Sequence, residues 1–414
     1  MPSYRAKKKY TTMGMVHHLV QQAFHAGNGL RQAFCALCVA VPTVLTLLSC
    51  EREPVLNLHH DNSLNFDFAV IELSLDVYWD YNIGFNATYD WRNEWFYGWD
   101  DEDNRIFGHL GYITPTTFNL RRYYMGENGQ DHHTQVDAHY IEGNSYTGEF
   151  RYGFWDLLAW NEIGQEVQSV VIDEASSLDS VTASTNQTMN VARYNPRYTH
   201  SLNQPEELFA GYEQSIDVNR NLDGFTYDPE RNVYVRQLNL QLEPRSYIYL
   251  TQIVIHNNRG RVTGTSGIAN LSGMARSTNL NTGVAGNDPI TVSYNVRMKN
   301  AVTVNGEQVD IIGGRLVTFG LCGLNPGAIS TRGAPSTRAN DRKRHLLDVD
   351  MQFNNGTDST LVFDVTEQVA HRFRGGVITI DIDMDTIPIP HRSGGSAFDA
   401  VVDDYDEEIH VIDM

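Results

Sequence analysis

The stretch Tyr247–Ile255 reads YIYLTQIVI, and it decides the fold class of this 414-residue chain. Most of its residues are β-branched, aromatic or leucine, which are the side chains that favour strands. Ile290–Met298 (ITVSYNVRM) has the same character. Leu238–Leu242 and Ile378–Met384 alternate apolar and polar residues, the two-residue period of a strand with one buried face. These patterns predict half-buried strands of antiparallel sheets.

Turn dipeptides separate these strand patterns at short intervals. Four of them are Asn305-Gly306, Gly313-Gly314, Asn355-Gly356 and Gly375-Gly376. This spacing is typical of β-sandwiches rather than of strands that alternate with helices. We therefore predict an all-β protein.

Helix signals occur in only two segments. Gln204–Gln214 places Pro205 and two glutamates in what would be a first turn, and Val365–Phe373 ends just before two glycines. Each predicts one short helix. The polar stretch Ala328–Arg344 has no apolar period and predicts a loop.

An uncharged run of 17 residues, Ala33–Ser49, precedes Cys50. A helix that spans a bilayer needs about 20 apolar residues, so this run indicates the core of a secretory signal peptide. Leu47–Cys50 (LLSC) resembles the lipobox of bacterial lipoproteins, in which the cysteine is acylated, for example with palmitate. The alternatives are an ordinary signal peptide and a buried apolar segment. Five basic residues and no acidic residue precede Cys50: Arg5, Lys7, Lys8, Lys9 and Arg31.

The net negative charge of the chain argues against some classes of partner. Removal of those five basic residues would leave 26 of the 31 Lys and Arg against 51 Asp and Glu, which moves the formal net charge from -20 to -25. A chain this acidic repels nucleic acid phosphates and anionic lipids, so we expect no nucleic acid partner. Membrane contact would depend on acylated Cys50.

The length suggests two domains. Cleavage before Cys50 would leave 365 of the 414 residues, more than one hydrophobic core usually serves. We predict a signal peptide over residues 1–49, an N-terminal β-sandwich over 50–224 and a C-terminal β-sandwich over 225–414. The polar stretch Asp223–Arg231 contains the expected break.

Aromatic residues are concentrated in Tyr78–Trp99, which holds ten of them and is followed by four acids, Asp100–Asp103. Rings of this kind stack on sugars, so Trp91, Trp95 and Trp99 are candidate glycan-binding residues. The alternative is that the same rings are large core anchors of a sheet.

Signs of catalysis are missing from the sequence. It has no H-E-x-x-H, G-x-S-x-G or P-loop pattern, and we predict no enzyme, cofactor or metal. A glycosidase remains a third alternative, because the spacing of its carboxylates is set by the fold. Asp381, Asp383 and Asp385 are predicted to share one strand face. They are either calcium ligands or solvated surface residues.

Several segments together resemble lipoproteins of the fimbrillin superfamily of Bacteroidales. They begin at the lipobox and continue, in this order, as LSLDVYW (73–79), FWDLLAWNE (154–162), QPEELFAG (204–211), NLSGMA (270–275), FDVTEQV (363–369) and FDAVVDDYDEEIHVIDM (398–414). The resemblance implies two transthyretin-like, immunoglobulin-like sandwiches, a lipid anchor in the outer membrane, and assembly with other fimbrial subunits by strand addition.

The resemblance thus implies a cell-surface lipoprotein acting as an anchor or accessory subunit of a fimbrium, with a structural or adhesive role. Stalk subunits of the superfamily are released by cleavage after an arginine, and Arg92 and Arg105 are candidates for such a cleavage here. The alternative function is a surface protein that binds glycans through the tryptophans.

Overall fold

The computed structural model describes residues 68–78, 91–99, 105–129, 134–164, 169–174, 181–185, 201–325, 344–390 and 410–412. They belong to one compact unit, Phe66–Met414. Cys50, the predicted signal peptide and residues 328–343 of the predicted loop lie outside the described residues. Within the described part of the chain, no helix is both long and apolar enough to cross a bilayer.

The described chain is built almost wholly from strands, so the all-β prediction is confirmed. In chain order the elements are β1 (Phe68–Val77), α1 (Trp91–Glu94), β2 (Thr117–Tyr124), β3 (Thr134–Glu142), β4 (Ser145–Arg151), β5 (Gly153–Asn161), β6 (Val170–Asp173), β7 (Thr182–Thr185), β8 (Ser201–Asn203), β9 (Phe209–Val218), β10 (Thr226–Asp228), β11 (Val233–Pro244), β12 (Tyr247–His256), β13 (Val262–Ala275), β14 (Ser277–Asn279), β15 (Pro289–Val304), β16 (Glu307–Thr318), β17 (Leu346–Phe353), β18 (Asp358–Asp364), α2 (Thr366–His371), β19 (Gly376–Asp383) and β20 (His410–Ile412).

Two large sheets and one small sheet arrange these strands. The first large sheet has the order β3-β2-β5-β9-β11-β1-β4, with β10 beside β11. The second has the order β19-β12-β16-β15-β13-β17-β18-β20, with β8 beside β15. The small sheet is β14-β7-β6. Most neighbours are antiparallel, but four pairs are parallel: β1 with β11, β12 with β19, β18 with β20 and β8 with β15.

The first sheet is curled around its own core. All seven strands of its path contribute buried side chains to a single cluster, from Ile71 on β1 to Trp155 on β5 and Leu240 on β11. Its two edge strands, β3 and β4, are joined by only two residues, Gly143 and Asn144. The curl therefore brings the two ends of the sheet together at this link, which gives a nearly closed barrel.

The second sheet encloses the larger core. Tyr249 and Ile253 on β12, Val292 and Tyr294 on β15, and Phe363 on β18 belong to it. Asn305-Gly306 forms the two-residue turn between β15 and β16, and both residues have positive φ (51° and 88°), as a type I′ hairpin turn requires.

One helix prediction is confirmed and the other is wrong. Val365–Phe373 contains α2, whereas residues 204–208 form no regular element and β9 begins at Phe209. The cause is the position of this segment between two cores. Leu208 packs into the second core and Phe209 into the first, and both are 0 % exposed. In an extended chain, adjacent side chains point to opposite sides, so Leu208 and Phe209 can enter different cores. A helix would not direct these two neighbours to opposite sides.

The predicted division between residues 224 and 225 stays a prediction. β8, before that point, pairs with β15 of the second sheet, and β11, after it, pairs with β1 of the first sheet. The structure shows two large curled sheets, and the prediction of two transthyretin-like β-sandwiches stays a prediction.

Candidate functional site

The aromatic cap, which we define as residues 91–99 and 105–112, covers the outer face of the second sheet. Below it, β12, β16 and β19 present apolar side chains on the side opposite the large core. These residues, each at most 2 % exposed, are Ile248, Leu250, Val254, Val309, Ile311, Val317 and Val377. Because this face is covered, β12 is buried on both sides, and the prediction of a half-buried strand over Tyr247–Ile255 is wrong.

A buried amide in the middle of β12 ties the cap to the sheet. The side chain of Gln252, 0 % exposed in the middle of β12, accepts a hydrogen bond from Phe96 N–H (2.8 Å) and donates one to the backbone oxygen of Glu94 (2.7 Å). It also donates to Thr379 Oγ1 on β19 (2.9 Å). Polar groups buried in this way need partners, and Gln252 finds its own in the cap and the neighbouring strand.

The prediction of a turn at Gly313-Gly314 is wrong, because both glycines lie within β16. Close packing of the cap explains why residue 313 is a glycine. A Cβ atom on Gly313 would lie 2.5 Å from Tyr97 Cδ2 and 3.0 Å from Trp95 Cη2. The rings of Trp95 and Tyr97 stack with centroids 5.7 Å apart and rest directly on this backbone. Glycine is required here for space.

Two further contacts hold the cap from its sides. Lys299 on β15 donates a hydrogen bond to the backbone oxygen of Tyr97 (2.8 Å). At the other end, Tyr112 donates from its hydroxyl to the backbone oxygen of Ser246 (2.8 Å). Burial is the main reason that the pKa of Tyr112 lies well above its ordinary value.

The cap is also joined to the segment between the two cores. Ile113 N–H, directly after the cap, donates a hydrogen bond to Glu207 (2.9 Å), and Glu207 forms an ion pair with Arg315 on β16. The side chain of Arg315 is 8 % exposed. The side-chain oxygen of Gln204 accepts from Val317 N–H (3.1 Å). These contacts fix Gln204 and Glu207 against β16.

The structure separates the three candidate glycan-binding tryptophans. Trp91 and Trp95 are 4 % and 3 % exposed and pack on the sheet, while Trp99 is half-buried at the margin of the cap. The indole nitrogen of Trp95 donates to the backbone oxygen of Gly98 (2.8 Å). The burial of two rings favours core anchoring, and glycan binding stays a prediction. Arg105 is exposed, while the side chain of Arg92 and Cys50 lie outside the described residues.

Strand β20 lies at one edge of the second sheet. It pairs in parallel with β18, with His410 opposite Leu361, Val411 opposite Val362 and Ile412 opposite Phe363. Among the described residues, β18 has seven and β20 has three. This edge is a natural place for an extended segment to pair.

The seam between β3 and β4 is closed by side chains. Arg122 on β2 donates two hydrogen bonds to Asp137 on β3 and one to the backbone oxygen of Glu149 on β4 (2.9 Å). His139 and Tyr146 touch across the same seam, 3.1 Å apart. Burial alone would raise the pKa of Asp137, but the bonds and charge of Arg122 outweigh it and lower that pKa.

The acidic trio on and after β19 is matched by cationic and amide groups. Asp381 lies 3.4 Å from His256, Asp383 accepts a hydrogen bond from Asn257 (3.0 Å), and Asp385 pairs with Arg261 (2.9 Å). The hydrogen bond from Asn257 is the main cause of the lowered pKa of Asp383. Among the described residues, no group of three His, Cys, Asp or Glu side chains could hold a metal ion.

Sequence reasoning missed Gln252. The signal was present, because a lone amide in the middle of YIYLTQIVI is the one large polar side chain in an apolar strand. Such a residue indicates a buried hydrogen-bonding partner, but the strand pattern alone does not tell which segment supplies it.

Comparison with solved structures shows a distant similarity to surface proteins of Bacteroidales. A candidate adhesin from Bacteroides ovatus is 13% identical, with 78% of this chain and 95% of that chain covered and a TM-score of 0.42. For a candidate adhesin from Bacteroides thetaiotaomicron the values are 9%, 78%, 94% and 0.43. For the fimbrial anchor protein Mfa2 from Porphyromonas gingivalis they are 9%, 75%, 90% and 0.35. No protein family and no curated protein matches the chain.

Proposed function

We propose that this protein is a structural or adhesive subunit of a fimbria-like assembly on the bacterial surface, joined to its neighbours by β-strand addition and tethered through acylated Cys50. The observation that carries the proposal is the edge of β18. Seven-residue β18 ends the main body of the second sheet, and in the described part of the chain three-residue β20 pairs with it.

A short strand at a sheet edge is easily exchanged for a longer one. Three-residue β20 forms few ladder hydrogen bonds, so a longer extended segment from another subunit could replace it and pair along β18. Replacement would cover an edge that already binds a strand. An edge of this kind suits a structural role, and within the assembly we propose that of an anchor or accessory subunit.

A cysteine lock tests the exchange. Val362 and Val411 are paired in register, and neighbouring strands lie within the Cα separation that a disulfide accepts. In the double variant Val362→Cys/Val411→Cys, oxidation would hold β20 on β18. We expect co-purification with neighbouring subunits and growth of high-mass assemblies to be lost on oxidation and restored on reduction.

The control is the single variant Val411→Cys, which cannot form this bond and should assemble under both conditions. If the oxidised double variant assembles as well as the reduced one, exchange at this edge is disproved.

The tether is tested separately: Cys50→Ala should no longer incorporate radiolabelled palmitate or sediment with membranes. Persistent labelling of that variant would disprove acylation at Cys50.

A further inference from the structure

Three passages between the two large sheets meet the first sheet at the same end. Residues 245–246 connect β11 to β12, residues 204–208 lead into β9, and residues 113–116 lead from the cap into β2. The strand registers place the start of β2, the end of β5, the start of β9 and the end of β11 side by side: Phe118 pairs with Asn161, Trp160 with Ala210 and Phe209 with Pro244. We call this end of the first sheet the junction end.

Strand β1 begins at the opposite end of the first sheet. Val77, its last residue, pairs with Leu242 near the end of β11, whereas Phe68, its first residue, pairs with Arg151, the last residue of β4. β1 is ten residues long, so at about 3.3 Å per residue its two ends lie about 30 Å apart. The chain that precedes β1, which contains Cys50, therefore joins the sheet at the end remote from the junction end.

β1 is hydrogen-bonded to a neighbour on each side. It pairs in parallel with β11 and antiparallel with β4. Leu75 N–H donates to the backbone oxygen of Asn144, just before β4 (2.8 Å), and Tyr78 N–H donates to the backbone oxygen of Leu242 on β11 (2.9 Å). Because successive N–H groups of a strand point to opposite sides, the even-numbered residues of Val70–Val77 bond to β11.

Side chains strengthen the attachment of β1 to β11. Glu72 accepts a hydrogen bond from Arg231, in the turn before β11 (2.8 Å), and Asp76 accepts one from the side-chain nitrogen of Asn239 on β11 (2.8 Å). On the inner face of β1, Ile71 is 0 % exposed and packs in the first core. β1 is thus held by its backbone, by its buried face and by two side-chain bonds.

The connection from β11 to the second sheet is also held by hydrogen bonds. Ser246 is 0 % exposed, and its Oγ accepts a hydrogen bond from Leu208 N–H (2.8 Å). Its backbone oxygen accepts from the hydroxyl of Tyr112 (2.8 Å), and Arg245 N–H donates to the backbone oxygen of Leu208 (2.7 Å). Tension on the second sheet therefore reaches β11 at its junction end.

We propose that β1 and β11 form a shear clamp that carries tension between a tether before β1 and the second sheet. The tether pulls β1 towards its N-terminal end, while the second sheet pulls β11 towards its C-terminal end. In a parallel pair these two directions are opposite and lie along the strands, so the ladder hydrogen bonds are loaded together rather than one after another. Forced unfolding is governed by the unfolding rate, and loading the bonds together keeps that rate low. The inference rests on the proposed function for the source of the load.

Single-molecule stretching of the full chain tests the clamp in two geometries. One handle is attached at the N-terminus, and the other at an azide-bearing amino acid that replaces either Glu243, at the junction end of β11, or Glu230, in the turn before β11. Both glutamates are exposed. Pulling at residue 243 shears the β1–β11 pair, whereas pulling at residue 230 opens the pair from the Val70 end. We expect a rupture force at residue 243 at least about twofold that at residue 230, because the ladder bonds then share the load.

A substitution in β1 checks that this pair bears the load. Asp76 is exposed and lies near the junction end, and its N–H is on the β11 side. Asp76→Pro removes that ladder bond, so it should lower the rupture force at residue 243. It should leave the force at residue 230 unchanged, because opening from the Val70 end breaks other bonds first. Asp76→Ala keeps the N–H and is the matched control, which should lower the force at residue 243 less.

Equal rupture forces in the two geometries, or a larger force at residue 230, would overturn the clamp. This comparison needs no substitution in β1, so it decides the matter even if Asp76→Pro does not fold. A folded Asp76→Pro that ruptures at residue 243 at the same force as Asp76→Ala would overturn the clamp as well. Stretching needs neither a neighbouring subunit nor an acyl chain, so either outcome leaves the result of the cysteine lock on β18 unaffected.

Discussion

The side-chain oxygen of Gln252 lies 2.8 Å from the backbone nitrogen of Phe96, although 156 positions separate them in the chain. This bond joins the aromatic cap to the central part of β12. Gln252 is 0 % exposed, so its side chain cannot turn to water if Phe96 N–H is lost. One amide of the sheet therefore helps to position the cap that covers it.

Substitution of Gln252 by Leu should loosen the cap. The variant leaves Phe96 N–H and the Glu94 oxygen without their partner, which we expect to lower the free energy of unfolding by about 1–3 kcal/mol. Urea unfolding measures this loss. Amine labelling of Lys299, whose ammonium binds Tyr97 O, should become faster.

The control for that experiment is Gln308→Leu, which removes an exposed amide from the same sheet. It should change the unfolding free energy and Lys299 labelling little. Equal effects of the two substitutions would show that Gln252 has no special role in holding the cap.

Gly313→Ala should destabilise the protein through overpacking. The added Cβ would lie 2.5 Å from the ring of Tyr97. The Cβ cannot move away, because the backbone that carries it is fixed in the sheet. Overpacking of this kind costs about 1–3 kcal/mol. Gly264→Ala on β13 is the matched control, because its nearest neighbour is the movable end of Gln352 at 3.0 Å. A loss of stability no larger in Gly313→Ala than in Gly264→Ala would contradict this account of the cap.

The strands were predictable and the cap was not, for a physical reason. Alternation along Leu238–Leu242 and Ile378–Met384 records one buried face, and both segments lie in strands with that face buried. The run Tyr247–Ile255 lacks alternation because a distant segment covers its second face. A local pattern shows that both faces are apolar, but it cannot show which segment covers the second one.

The same limit applies to the candidate site. Aromatic density around Trp95 was visible in the sequence, and its two interpretations differ only in whether the rings face a sheet or solvent. That choice depends on Gly313 and Gln252, which lie far away in the chain and carry no aromatic signal.

His256 should stabilise the protein at mildly acidic pH. Burial alone would lower its pKa, but hydrogen bonds and charges of Glu307 and Asp381 outweigh it and raise the pKa above its ordinary value. Its contribution is therefore fully present below the unfolded pKa, near 6.5, and is lost as pH rises through the folded pKa. Since both carboxylates are largely exposed, the contribution should stay below about 1 kcal/mol.

The measurement compares unfolding free energies of the unchanged protein and His256→Gln. The advantage of histidine should be larger at about pH 5.5 than at about pH 8.5. An advantage that grows towards high pH would reverse the assigned sign.

His345 should act in the opposite direction. It is 6 % exposed, and burial lowers its pKa more than the hydrogen bond to the Ser272 backbone oxygen and the charge of Asp364 raise it. Its stabilising contribution is present above the unfolded pKa, near 6.5, and is lost as pH falls through the folded pKa. His345→Asn keeps an N–H donor without this titration, so its unfolding free energy should fall less between about pH 7.5 and pH 5. A parallel fall in both proteins would remove His345 as the cause.

Replacement of Trp95 by alanine should lower the free energy of unfolding more than replacement of Trp99. Trp95 is 3 % exposed and stacks on Tyr97, so Trp95→Ala opens a cavity and should cost about 3–5 kcal/mol in unfolding free energy. Trp99→Ala, at the half-buried margin, should cost clearly less. Loss of polysaccharide binding in Trp95→Ala could therefore reflect a detached cap, whereas the same loss in a stable Trp99→Ala would identify a ring that touches sugar. Affinity electrophoresis of both variants, read beside their urea midpoints, separates a glycan site from a packing role. If Trp99→Ala is as destabilised as Trp95→Ala, the assignment of Trp99 to the margin of the cap is wrong.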